Sequence, residues 1–169
     1  MKANMGSKLK VLFVVADVYF SEPLGIMILS AICKKEGHST RLGIVARENL
    51  IEILDDFRPD VIAYSTMTSD ENSFAHANDI IQAWSKDTCH PVKRIMGGPH
   101  PTYFPNVIHK LNLDAICAGD GERAILSMLE AIQAGRSMEG IPNVTTPNAP
   151  MGPKEVIEDM NIILSLIHI

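Results

Sequence analysis

The chain has 169 residues, 46% of them hydrophobic and 21% charged, and carries a formal net charge of −5. That length suits a single domain with a substantial core, and the composition excludes a disordered, collagen-like or disulfide-built chain. No apolar stretch nears the roughly 20 residues of a membrane span, the acidic balance leaves no basic footprint for nucleic acid, and the lysine-bearing start lacks a signal peptide's apolar core, so a cytoplasmic protein is expected.

The predicted elements alternate in kind. Lys10 to Ala16 is a continuous β-branched and aromatic run, short enough to be a strand buried on both faces. Pro23 to Lys35 carries Leu24, Met27, Ile28, Ala31 and Ile32 at helical spacing, with proline suited to its first turn and Gly37 to its end. Thr40 to Val45 is a second strand and Leu50 to Phe57 a short helix closed by Arg58-Pro59. Val61 to Ser65 is a third strand. Ser69 is the expected N-cap of a helix with Phe74, Ala77, Ile80, Ile81 and Trp84 on one stripe. Val92 to Met96 is a fourth strand, Pro105 to Leu111 a short helical piece, Asp114 to Ala118 a fifth strand, and Glu122 to Ala134 the last long helix before Gly135.

Strand and helix in such alternation predict a doubly wound α/β fold: a five-stranded parallel sheet of flavodoxin-like order between two layers of helices. After Ile141 the pattern stops, and Pro142, Pro147, Pro150 and Pro153 predict an extended linker. The three cysteines, Cys33, Cys89 and Cys117, show no CxxC or other metal spacing. Plain buried or half-buried thiols are expected.

In an open parallel sheet, ligands bind beyond the carboxyl ends of the strands. The loops there are Asp17 to Gly25, Ser65-Thr-Met-Thr-Ser69, Gly97-Gly-Pro-His-Pro-Thr-Tyr103 and Gly119-Asp-Gly-Glu122. Gly97 and Gly98 let backbone approach a ligand, or serve a turn with positive φ. Ser65 and Thr66 offer hydroxyls to a ligand, or to the next helix. Gly119 to Glu122 opens a helix whose free N–H groups attract a polar group, though its acidic side chains disfavour phosphate; Asp120 could equally cap that helix. His100, held between prolines, is a weak metal-ligand signal on its own. Asp17 and Glu22 are too isolated to be an acid/base pair, and no catalytic triad can be assembled. Walker A and GxGxxG patterns are absent, which weakens a nucleotide reading. A phosphoryl-receiver reading fails because Ser65 and Gly119 stand at the ends of strands three and five, where it would require aspartate and lysine.

Two of these loops carry a resemblance. Gly97-Gly-Pro-His-Pro-Thr-Tyr-Phe-Pro105, followed by Asp114-Ala-Ile-Cys-Ala-Gly-Asp-Gly-Glu122, resembles the N-terminal cobalamin-binding domain of B12-dependent radical SAM enzymes. Arg58 to Ser65 is similar to that family's third strand, and Pro23-Leu-Gly25 with Gly37-His38 to its first helix; the likeness runs from about Lys10 to Val144. In the wider cobalamin-binding superfamily, Ser65-Thr-Met67 stands for SxL and Gly97-Gly98 for GG. Asp17-Val-Tyr19 departs from DxHxxG, with Tyr19 where the lower-ligand histidine would be. Neutral imidazole is a good cobalt ligand and a phenol a poor one. The resemblance therefore implies cobalamin held base-off with no protein histidine below cobalt. It implies cofactor contacts from Tyr19, Ser65, Thr66, Met67, Gly97, Gly98, Pro99, His100, Gly119, Gly121 and Glu122. The nucleotide tail would lie beside Ser65 and Thr66, with Gly97, Gly98 and Gly121 leaving room for the corrin.

The family's catalysis needs a CxxxCxxC cluster motif in a following barrel, and this sequence has none. The iron–sulfur cluster and S-adenosylmethionine of a parent enzyme, a methyltransferase or a relative, would be held by that radical SAM barrel as partner domain. The expected organisation is a cobalamin-binding domain at 10–144 and a linker toward the barrel at 145–163. Residues 164–169, Leu-Ser-Leu-Ile-His-Ile, match the translation of a sequencing-library adapter and are expected to be adapter-derived. The competing expectations are a flavodoxin-like domain for FMN or a nucleotide-sugar, which would want a hydroxyl-rich first loop, and a stand-alone corrinoid carrier, which would want the missing histidine.

Overall fold

The structure is a computed structural model and describes residues 8–18 and 23–157. Six strands form one sheet in the order β2-β1-β3-β4-β5-β6. They are β1 (Lys10–Val15), β2 (Ser39–Ile44), β3 (Val61–Ser65), β4 (Lys93–Gly97), β5 (Ala115–Cys117) and β6 (Val144–Thr145). The first five are parallel and in the expected order. The sixth corrects the expectation of five: Val144–Thr145 pairs antiparallel to β5. A strand of two residues carries no periodicity, and the prolines around it mask it.

The helices are α1 (Leu24–Lys35), α2 (Leu50–Phe57), α3 (Glu71–Asp87), α4 (Pro99–Tyr103), α5 (Val107–Lys110) and α6 (Glu122–Gln133). Asn49 caps α2, its side chain accepting from the Ile51 N–H at 3.1 Å and donating to Glu52 at 2.8 Å. Ser69 does not cap α3. A 3₁₀ turn over Thr68–Asp70 intervenes, Asp70 takes the cap position, and the Ser69 hydroxyl turns to the Asp70 carboxylate. The stretch read as a loop at Gly97 to Tyr103 contains α4, with Pro99 in its first position, where a missing N–H costs nothing.

Strand side chains alternate between two apolar layers. Leu12, Val14, Ile62, Tyr64, Met96 and Ile116 face α2, α3 and α5. Phe13, Ala63, Ile95, Ala115 and Cys117 face α1 and α6. Each layer is fully closed at the sheet centre, where Val11, Leu12, Val14, Val61 and Ile62 have no exposure. The chain leaves β1 toward one layer and β3 toward the other, so the topological switch point lies between β1 and β3. Of the three cysteines, Cys33 and Cys117 are buried as expected; Cys89 is exposed, at the turn after α3. Tyr19, Glu22 and the 164–169 segment lie outside the described residues.

Candidate functional site

Small residues open a cavity on the α1/α6 side of the sheet. The register aligns Phe13, Ala63, Ile95 and Ala115 across β1, β3, β4 and β5. One step toward the carboxyl edge on the same face, Ser65 pairs with Gly97. The two central strands thus present Ala63, Ser65 and Gly97 where bulky side chains would fill the layer. The result is a cavity of about 230 Å³, floored by Phe13, Ala63 and Ile95 and walled by Ile26, Leu29, Ile125 and Met128 of α1 and α6. Its mouth is at the carboxyl edge, between Gly25, Ser65, Gly97-Gly98 and Gly119 to Glu122.

The glycines at this mouth divide into two kinds. A Cβ at Gly25, Gly97 or Gly119 would meet nothing within 4 Å, so these positions keep open space clear, Gly119 while also holding a φ of +91°. Gly98 serves the backbone instead. Its φ is +99°, and a Cβ there would sit 2.8 Å from the Thr66 carbonyl oxygen. That approach lets Thr66 N–H donate to Gly97 O at 3.0 Å and Thr66 O accept from His100 N–H at 3.1 Å.

Of the ionisable residues in the lining, Cys117 and Glu122 bear most on what the cavity can do. Burial, with the Glu122 and Asp120 carboxylates adding to it, pushes the Cys117 thiol up to about 11, so it stays protonated at neutral pH. It is a wall and not a nucleophile. Glu122 Oε2 is buried and has no hydrogen-bond partner among the described residues. A buried acceptor left alone is costly, and this one borders the cavity, where a donor on a bound molecule would satisfy it.

Of the residues singled out from sequence, Ser65, Gly97, Gly98, Gly119, Gly121 and Glu122 line the cavity. Thr66, Met67, Pro99 and His100 do not. Thr66 is 1% exposed and stitches β3 to β4, its hydroxyl donating to Gly97 O at 3.3 Å. Met67 is 60% exposed beside the mouth. His100 is buried, its ring stacked on Phe104 at 5.3 Å and its Nδ1 3.4 Å from the Thr68 hydroxyl, in a separate groove outside α4. Asp17 is held by Arg47 at 2.6 Å. Asp120 does not cap α6; its carboxylate accepts from the Ile157 N–H at 2.9 Å. The helical wall, Ile26, Leu29, Ile125 and Met128, escaped sequence reading. Spacings of three on each helix mark it, but they look identical to core packing until the sheet register exposes the gap beneath.

With this geometry in hand, comparison with known proteins identifies the class: residues 11–129 match the B12-binding domain family, and the chain belongs to it. Its relatives include an uncharacterised methyltransferase of Pyrococcus horikoshii, 26% identical over 125 residues, 70% of this chain and 26% of that protein. Another is the cytidylyl-2-hydroxyethylphosphonate methyltransferase of Streptomyces wedmorensis, 25% identical over 138 residues, 68% of this chain and 25% of that protein. The fold matches the radical S-adenosylmethionine methyltransferase TsrM of Kitasatospora setae, solved with cobalamin and a 4Fe–4S cluster, at TM-score 0.72 and 15% identity. That match covers 90% of this chain and 30% of TsrM. The chain spans about a quarter of the length of the curated relatives it matches.

The residues present fit cobalamin. The cavity is apolar at its floor, its mouth is kept bare by glycines, and Glu122 offers an unused acceptor.

Proposed function

We propose that this chain is the cobalamin-holding module of a B12-dependent radical SAM methyltransferase, with the cofactor's nucleotide tail seated in the α1/α6 cavity. The observation that carries the reading is the cavity itself, where Ala63, Ser65 and Gly97 make room at the switch point of the sheet. A flat aromatic base removed from water into a wall of Phe13, Ile26, Leu29, Ile125 and Met128 gains roughly 25 cal/mol per Å² of apolar surface buried. Ser65 offers a hydroxyl beside the tail and Glu122 accepts from a donor on it. Gly97, Gly119 and Gly25 admit the corrin edge at the mouth, and the exposed Met67 flanks it.

Cobalamin would be held base-off, as the resemblance to the radical SAM branch implies, and Tyr19, standing where the superfamily's histidine would be, would supply no imidazole to cobalt. When bound, cobalamin supplies a cobalt able to carry a methyl group. The residues of this chain bind and orient the cofactor and exclude water from its tail. The iron–sulfur cluster and S-adenosylmethionine belong to a radical SAM barrel that acts as partner domain in the same enzyme, and the setting is the cytoplasm.

The test is titration of the protein with methylcobalamin and hydroxocobalamin, followed by absorbance. The expected outcome is saturable binding with the spectral change of base displacement. Unchanged spectra and no retained corrinoid at saturating concentration would overturn the proposal.

A further inference from the structure

The segment after β6 is fastened to the rim of the cavity. Asn143 is 3% exposed and sits in the left-handed region, at φ +62°, a conformation asparagine tolerates better than most residues. Its side-chain amide donates to Asp120 O at 3.1 Å and to Glu155 O at 2.7 Å, and its Oδ1 accepts from the Glu155 N–H at 2.8 Å. Asn143 N–H donates to Pro153 O at 3.1 Å, and the Gly152 N–H donates to Val144 O at 2.9 Å. The Asp120 carboxylate completes the clasp by accepting from the Ile157 N–H at 2.9 Å, and Arg123 pairs with Glu155. One buried amide and one carboxylate therefore join residues 152–157 to Gly119 to Glu122, the loop that walls the mouth.

We infer that Asn143 and Asp120 are positioning residues that couple occupancy of the cavity to the seating of residues 152–157. Besides the clasp, the rim loop is held by the Gly119 N–H donating to the Thr102 hydroxyl at 3.3 Å and by the Cys117 thiol donating to Asp120 O at 3.7 Å, while the Ala118 N–H donates to Asn143 O at 2.9 Å. Gly119 and Gly121 flank Asp120, and no side chain caps α6. A ligand that fixes the loop fixes Asp120, and with it the hydrogen bonds that hold the departing segment. The coupling is reciprocal, since what stabilises the clasp must also favour the bound state. It reads cofactor loading out at the point where the chain leaves the sheet, and it rests on the cobalamin reading above.

The experiment uses hydroxocobalamin and the whole chain. Ile157→Pro deletes the N–H that Asp120 accepts and replaces no residue of the cavity lining, while Ile157→Ala keeps that N–H. Hydrogen exchange of peptides covering 150–157 is measured with and without ligand, alongside Kd. The inference expects slower exchange there on binding, roughly tenfold weaker binding by Ile157→Pro, near-wild-type binding by Ile157→Ala, and a loss like that of Ile157→Pro in Asn143→Ala checked for folding by circular dichroism. The 5–150-fold range usual for coupled sites frames that size. Wild-type binding with unchanged exchange at 150–157 and unaltered affinity in Ile157→Pro overturns the coupling and leaves the cobalamin reading standing. Absence of binding by the wild-type chain overturns both.

Discussion

Gly97 and Gly98 are adjacent and do opposite work. Gly98 occupies φ +99°, with a notional Cβ 2.8 Å and 3.0 Å from the Thr66 carbonyl oxygen and nitrogen. Backbone cannot yield as a side-chain tip can, so Gly98→Ala should cost about 1–3 kcal/mol of stability. At about 2–4 °C per kcal/mol for a chain of this size, that is a drop of several degrees in Tm. Gly97 has no such φ, and a Cβ there would enter open space. Gly97→Ala should leave Tm within a degree or two of wild type, yet weaken cobalamin on the order of tenfold by narrowing the mouth. Thermal unfolding and ligand titration of both variants separate the roles. Equal affinity of Gly97→Ala and wild type would remove Gly97 from the site, and an unchanged Tm in Gly98→Ala would remove the close approach as a cause.

Among the elements, β1 depends on a contact at its entry that senses pH. The Leu9 N–H, just before the strand, donates to His38 Nδ1 at 3.1 Å, from the turn joining α1 to β2. Burial chiefly, and the neighbouring Lys8 charge next, hold the His38 pKa below its ordinary 6.5, with the Glu36 carboxylate opposing. A protonated ring could not accept from Leu9. Below about pH 6.5 the unfolded chain binds the proton more readily than the folded one, so stability falls with pH until the folded-state pKa is passed. The urea midpoint should therefore drop between pH 7.5 and 5.5, and the drop should be smaller in His38→Asn, which keeps an acceptor without a titration. Parallel pH profiles for the two proteins would refute the assignment. The same scale shows what a sequence can disclose. The elements β1, β3, α2 and α6 are legible because a strand declares its period in five residues and a helix in two turns or more. The five-residue α4, the 3₁₀ turn ahead of α3 and the two-residue β6 are too short to repeat anything. Local capping chemistry misleads there: Ser69 and Asp120 look like caps, and tertiary contacts employ them otherwise. The site was half legible for a related reason. Glycine and serine at strand ends stand out, whereas the helical wall and the Asn143 clasp depend on register and on contacts distant in sequence.

For the molecule as a whole, the two apolar layers share one sheet, and neither layer can separate without exposing the other's strands. One cooperative unfolding transition is therefore expected across residues 10–145. The cavity lies in the α1/α6 layer at the carboxyl edge of the sheet. A molecule that fills the gap binds the folded chain alone, and mass action then stabilises it. At a hundred times Kd the gain is about 2.7 kcal/mol, which at about 2–4 °C per kcal/mol corresponds to a rise of roughly 5–11 °C in Tm. Calorimetry with increasing hydroxocobalamin should show a single peak moving upward by that amount and continuing to rise with the logarithm of ligand concentration. FMN, which lacks the corrin that the glycine-bare mouth admits, should leave the peak where it is. A shift with FMN as large as that with hydroxocobalamin would mean that the cavity selects for a flat apolar ring rather than for the corrinoid that carries one.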